Sequence, residues 1–310
     1  MMKKEFRRSA KLMGSAFEFV LIAREEEGEN LLDECIAEVK RIEVLLTEFS
    51  ETSQTAQINQ AAGKRFVEVD AETFQIIQRS LGISKLTQGA FDITAGVLKK
   101  LYNFKGDSFS LPDKKLSQQT LQKVGYQKIE LSGDNKVKLM TAGMHIGFGA
   151  IGKGYAADKV KALLLEKRIE SGVINASGDL TAWGTRLDGT LWKVAIADPN
   201  GKEKVMAWIP IKDASVATSG DYEQYFEYQG KRYSHTIDPK TGLPVSGIKS
   251  VTIVSPSAEL SDALATAVFT MGVEVGLHFV KQLPQTHALI VDENNKVFTS
   301  KNIKVNFRDS

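Results

Sequence analysis

The stretch "KVKLMTAGMHIGFGAIGKGYAADKVKALLLEKRI", residues 136–169, reads as a strand, a glycine-rich turn and a helix, and the fold turns on how it is read. Gly147, Gly149 and Gly152 have the G-x-G-x-x-G spacing of a dinucleotide fingerprint, and Gly147 to Lys153 nearly fits a P-loop. The P-loop reading fails at Gly154, where a Ser or Thr would hold magnesium. The fingerprint needs a repeating parallel βαβ context. Downstream, "GVINAS", "WKVAIADP", "KVMAWIPI", "ASVATS", "YFEYQGKRYSHTI" and "IKSVTIVSP" read as strands in close succession. Hairpin-linked strands outnumber strand-helix alternation, which predicts an α+β fold of antiparallel sheets with packed helices. What survives of both motifs is their physics. Glycines let backbone approach a ligand, the helix N-terminus presents free N–H groups and partial positive charge to a phosphate, and Lys153 adds a full charge. A tight turn whose lysine points to water explains the same letters.

Toward the N-terminus, "MMKKEFRRSAKLMGSAFEFVLIA" imitates a secretory signal, but Glu18 interrupts its apolar part and no A-x-A site precedes "REEEGEN". Leu12 to Ile22 is read instead as a first strand. Asn30 is expected to cap a helix whose apolar face is Leu32, Ile36, Val39, Ile42 and Leu46. "EFSETSQTAQIN" (48–59) reads as a polar loop, "KRFVEVD" as a strand, and Asp70 as the cap of a helix reaching about Lys85. "TQGAFDITAGVLKKLYNF" is a loop entering a short helix, and residues 106–136 a surface excursion. Toward the C-terminus come helices at "SDALATAVFTM" and "VEVGLHFVKQL", then a strand pair. With no internal repeat and no linker, residues 1–310 form one expected unit.

Forty basic and thirty-eight acidic residues leave a net charge of +2, with one basic run, "KKEFRR" at 3–8, so no nucleic-acid footprint is visible. Cys35 is the only cysteine, which excludes an intrachain disulfide and a cysteine metal cluster. No segment has the roughly eighteen uninterrupted apolar residues of a membrane span. A soluble, cytoplasmic chain is expected, or a periplasmic or membrane-associated one if a signal has been removed.

Four further segments carry chemistry. In "SDALATA" (261–267), with Ser261 as N-cap, Asp262 and Thr266 lie one turn apart and offer hard oxygen ligands; a first-turn acid complementing the helix dipole is the bland reading. "NASGDL" (175–180) brings small residues and Asp179 to a strand end, as ligand approach or plain turn. "GAFDITAG" (89–96) sets Asp92 in a glycine-flanked loop able to pinch a planar ring; a capped helix start accounts for it equally. "GKRYSHTIDPKTGLPV" (230–245) places His235 and Asp238 beside a Pro-x-x-Gly turn, where the imidazole is a phosphate or proton partner or simply closes a hairpin.

Taken in order, "KLMGSAFEF", "LLTEFSETSQTAQIN", "GAFDITAGVL", "GFGAIGKGYAAD", "VINASGDL", "VATSGDYEQYFEYQGKRYSHTIDPKTGLPV" and "SDALATAVFTMG" resemble the flavin transferases of the ApbE family, which move FMN from FAD to a protein threonine. The resemblance implies a T-fold-like architecture and Mg²⁺-dependent transfer releasing AMP, with an acceptor protein as partner; a homodimer is left open, not legible in the sequence. It also implies that FAD is bound by Met13, Phe49, Ala90, Phe91, Asp92, Lys153, His235, Ile237 and Asp238, and magnesium by Asp262, Thr266 and the Ala150 carbonyl, with His235, Asp262 and Lys153 as catalytic residues. Two departures stand out. The family often has an acidic residue at the position of Gly147, so a nucleotide contact is expected to be missing, and Phe49 replaces a common Tyr or Trp. A hydrolase releasing free FMN and AMP, or a non-catalytic flavin binder, are the alternatives.

Overall fold

A computed structural model describes residues 3–104, 112–221, 225–228 and 230–307. Strand β1 (Lys3–Leu12) turns into β2 (Ser15–Arg24) through Met13 and Gly14, whose φ angles of 50° and 72° give the primed turn that matches strand twist. The strand expected from Leu12 is therefore a hairpin, with the basic run on its first arm; there Arg7 pairs with Glu18 at 2.8 Å and Lys3 with Glu170 at 2.7 Å. Helix α1 (Gly28–Leu46) starts before Asn30 and has no side-chain cap. The loop expected at 48–59 contains α2 (Gln54–Gln60), whose N-cap Ser53 Oγ accepts the Ala56 amide at 3.0 Å. After β3 (Val67–Glu68) comes α3 (Ala71–Leu86), where Asp70 caps as expected by accepting the Thr73 amide.

Short α4 (Gly96–Lys99) precedes α5 (Lys114–Leu121), β4 (Ile129–Ser132) and β5 (Lys136–Leu139). Helix α5 and strand β4 fill part of the expected surface excursion at 106–136, and its Ile129 joins the main core, as do Val137 and Leu139 of β5 just beyond it; residues 106–111 of it lie outside the described residues. Helix α6 (Gly152–Glu166) leads to β6 (Gly172–Ala176), β7 (Asp179–Trp183), β8 (Trp192–Asp198), β9 (Gly201–Ile211) and β10 (Ala214–Gly220). Then follow β11 (Tyr225–Tyr228), β12 (Lys231–Ser234), β13 (Ile248–Ser255), α7 (Ala258–Met271), α8 (Val273–Val280), β14 (His287–Asp292), β15 (Val297–Thr299) and β16 (Asn306–Phe307).

The main sheet runs β1-β2-β6-β7-β10-β13-β14-β15, and every neighbouring pair in it is antiparallel. The strand before the glycine-rich turn, β5, lies in a separate sheet, β3-β5-β4. Among the described residues β5 pairs antiparallel with both β3 and β4, which is not the parallel βαβ setting of a dinucleotide fingerprint, so the α+β reading holds. Alternate residues of β2 explain the layering. Phe17, Phe19 and Leu21 face a core shared with α1, α3, α6 and α7, while Val20 and Ile22 face a second core closed by β8 and β9. With both faces covered, "FEFVLIA" (17–23) is apolar almost without alternation.

Candidate active site

Helices α6 and α7 approach closely because residue 154 is glycine: a Cβ there would lie 2.2 Å from the Ala258 carbonyl oxygen. One turn along α6, the Asp158 carboxylate accepts the Ala258 and Glu259 amides at 2.9 Å each, tying down the start of α7. That helix has Ser257 as its N-cap, its Oγ accepting the Leu260 amide at 3.2 Å. The expected cap, Ser261, is instead buried inside the helix and bonded to Ser255 Oγ at 2.8 Å. Asp262 thus sits beyond the first turn, where the dipole no longer accounts for it. Its Oδ2 accepts the Gly154 amide at 3.2 Å, and Thr266 Oγ1 lies 3.3 Å from Ser219 Oγ of β10.

A cavity of about 450 Å³ lies against this helix pair. Its wall brings together Ala150, Lys153, Asp262 and Thr266 with Ala90, Phe91, Asp92, His235 and Ile237. A second cavity, about 400 Å³, is walled by Met13, Leu46, Phe49 and Phe148 and shares Glu48, Gly149 and Lys153 with the first. Phe49 is 91% exposed, an aromatic face open to a planar ligand. Lys153 therefore stands at the junction of two lobes.

Each side chain has a local reason for its place. The hairpin leading from β12 is tied at Ser234 N–H to the Val245 carbonyl and at Val245 N–H to the Thr236 carbonyl, both 2.9 Å, which leaves His235 between the ties and on the cavity wall. Asp238 does not line either lobe: its carboxylate accepts the Lys240 amide and the Thr241 hydroxyl, each at 2.9 Å, and so holds the turn that carries Ile237. Asp92 accepts from Thr94 N, Thr94 Oγ1 and Tyr126 N at 2.7–2.8 Å. Burial pushes its carboxyl above the usual carboxylate range, and those donors partly offset the rise.

Lys153 Nζ forms an ion pair with buried Asp179 at the start of β7, which gives that strand-end acid a definite task. The helix N-terminus is less open than the sequence implies. Gly152 N–H closes on the Phe148 carbonyl at 2.7 Å and Gly154 N–H on Asp262, so the charge facing an anion comes mainly from side chains. Three residues that no local motif marks also reach the first lobe: Glu48 from beyond α1, and Lys99 and Lys100 from α4 and its end. Four carboxylates, Glu48, Asp92, Asp179 and Asp262, then face three ammonium groups, Lys99, Lys100 and Lys153. A pyrophosphate entering that balance needs added positive charge.

Residues 13–290 match the model of the ApbE family. The chain belongs to the ApbE family. Among its relatives, a protein of Treponema pallidum named FAD:protein FMN transferase is 32% identical over 88% of this chain and 80% of its own length. One of the same name from Klebsiella pneumoniae is 32% identical over 96% of this chain and 93% of its own. Solved structures agree: the ApbE protein of Thermotoga maritima has a TM-score of 0.88 at 31% identity, covering 96% of this chain and 97% of that one. The flavinyl transferase ApbE of Pseudomonas stutzeri reaches 0.86 at 25% identity, covering 97% and 96%. The mixed α+β architecture is that of ApbE structures.

The oxygen donors of Asp262, Thr266 and Ala150 line one lobe of this ApbE-family site and are the hard ligands magnesium prefers. Among the described residues no group of three or more His, Cys, Asp or Glu gathers to hold a metal. A hydroxyl, a carbonyl and one carboxylate suit an ion that takes its remaining ligands from substrate phosphate and water. No helix of the described residues is long and apolar enough to cross a membrane.

Proposed function

We propose that this ApbE-family protein transfers FMN from FAD to a threonine hydroxyl of an acceptor protein and releases AMP. The observation that carries the reading is that Lys153, at the junction of two lobes of about 450 and 400 Å³, lines the first lobe together with the Asp262/Thr266 face of α7. The names of the relatives support the same chemistry.

In this reading the isoalloxazine stacks on Phe49, the adenine rests against Ala90, Phe91 and Ile237, and the pyrophosphate crosses the junction. Asp262, Thr266 and the Ala150 carbonyl would hold a magnesium ion, which when bound supplies Lewis acidity to the pyrophosphate. Lys153, steered by Asp179, places its ammonium where charge grows on the phosphoryl oxygens. His235, the histidine on the cavity wall, takes the proton of the threonine hydroxyl. The hydroxyl oxygen bonds to the FMN-side phosphorus in line, the bridging P–O bond breaks, and AMP leaves with the bridging oxygen.

The test is incubation with FAD, Mg²⁺ and a threonine-bearing acceptor peptide. An FMN mass gain on the peptide with AMP release is the expected result; AMP without the gain means a hydrolase, and unchanged FAD means a binder. Asp262→Ala should abolish magnesium-dependent transfer while circular dichroism stays unchanged, and full activity in that variant would remove the metal assignment.

A further inference from the structure

Glu48 stands where the two lobes meet and lines both of them. Its carboxylate rests against Gly147, where a Cβ would lie 3.2 Å from Oε1 and 3.3 Å from Oε2, so a side chain at 147 would press it aside. His145 pairs with Oε2 and aims the group. The segment carrying His145 is fixed in turn, since Asn59 donates to the Ile146 carbonyl at 3.0 Å and accepts the Ile146 amide at 2.8 Å. Oε1 has no hydrogen-bond partner among the described residues, and the side chain remains 31% exposed. The result is an oriented carboxylate with one oxygen satisfied and one left to accept.

A bare second anion beside a pyrophosphate would be repelled, but an anion already paired with an imidazole and offering a single oxygen suits a hydroxyl donor. Hydroxyl groups flank the pyrophosphate of FAD on both sides, on the ribityl chain and on the ribose. We infer that Glu48 Oε1 accepts a hydrogen bond from a sugar hydroxyl next to the pyrophosphate, and that Gly147 is the residue that admits it. The inference rests on the FAD reading above. It also revises the expectation of a missing acidic contact at Gly147: a carboxylate reaches that place from another segment. Glu48 is then a specificity-determining residue of the site and His145 the residue that positions it.

The experiment titrates FAD into the full-length protein with Mg²⁺ and follows quenching of flavin fluorescence. Glu48→Ala should weaken FAD binding roughly tenfold or more, the scale of a hydrogen bond to a charged group. The double variant Glu48→Ala/Gly147→Asp should regain most of that affinity, because an aspartate at 147 enters the vacated space. A loop merely disturbed by the first substitution would not be rescued by the second. Repeating the comparison by isothermal titration calorimetry with FMN and with ADP assigns the donor, a loss confined to FMN placing it on the ribityl chain and one confined to ADP on the adenosine ribose. Equal FAD affinity in wild type and Glu48→Ala, or a loss the second substitution leaves unrepaired, overturns the inference and spares the transferase reading. Failure of the wild-type protein to bind FAD removes both.

Discussion

Had α7 begun at Ser261, Asp262 would be a first-turn acid explained by the helix dipole; it begins at Ala258, and the same carboxylate becomes a cavity wall bonded to the Gly154 amide. His235 shows the same dependence. Its neighbours in sequence describe a turn, and only the ties on either side of it, to Val245, account for its place on the cavity wall. Asp221, next to cavity-lining Gly220, carries a pH signature. Burial raises its carboxyl from 3.8 to about 6, against the pull of Arg232 and Lys249, and its Oδ1 has no hydrogen-bond partner among the described residues. Between those two values the folded state binds more protons than the unfolded one. The contribution of Asp221 is therefore fully present below about pH 3.8 and is lost as pH rises through about 6. Asp221→Asn should flatten that part of the stability profile, and urea midpoints measured from pH 4 to 7 in both proteins check it.

At the scale of elements, the site depends on how closely α6 and α7 can pack. Gly154 disqualifies the P-loop in sequence, but the reason for glycine there is an Ala258 carbonyl from a distant segment. Gly154→Ala should force the helices apart and shift Asp262 away from Lys153 and Ala150. The expected outcome is a stability loss of about 1–3 kcal/mol, the usual scale of overpacking, together with weaker magnesium dependence of transfer. Denaturant unfolding and a Mg²⁺ titration of activity measure the two effects. Other elements were legible where the chain carries its own signals. The Asp70 cap, the spacing in α1 and the strand runs are local, and their elements formed. Helix α2 was not, since its seven residues carry too little apolar pattern to stand out from a polar loop.

Across the whole molecule, the main sheet separates two jobs. Its helix-covered face carries the cleft, and its other face packs on β8 and β9 through Ile196, Ile209 and Ile211. Ile209 is 3% exposed in that second core, so Ile209→Ala should cost about 2–5 kcal/mol. It should leave the FAD affinity of the folded protein unchanged, because the cleft lies across the sheet; paired urea unfolding and fluorescence titration test both halves of that statement. The sequence by itself determined the fold class and the elements that carry their own caps, turns and hydrophobic period, because those signals are set by neighbours a few residues apart. Only the tertiary structure decided the pairing of Lys153 with Asp179, the approach of Gly154 to Ala258 and the filling of Gly147 by Glu48. Those contacts join side chains far apart in the chain, and local propensity carries no information about which distant carboxylate or carbonyl will arrive.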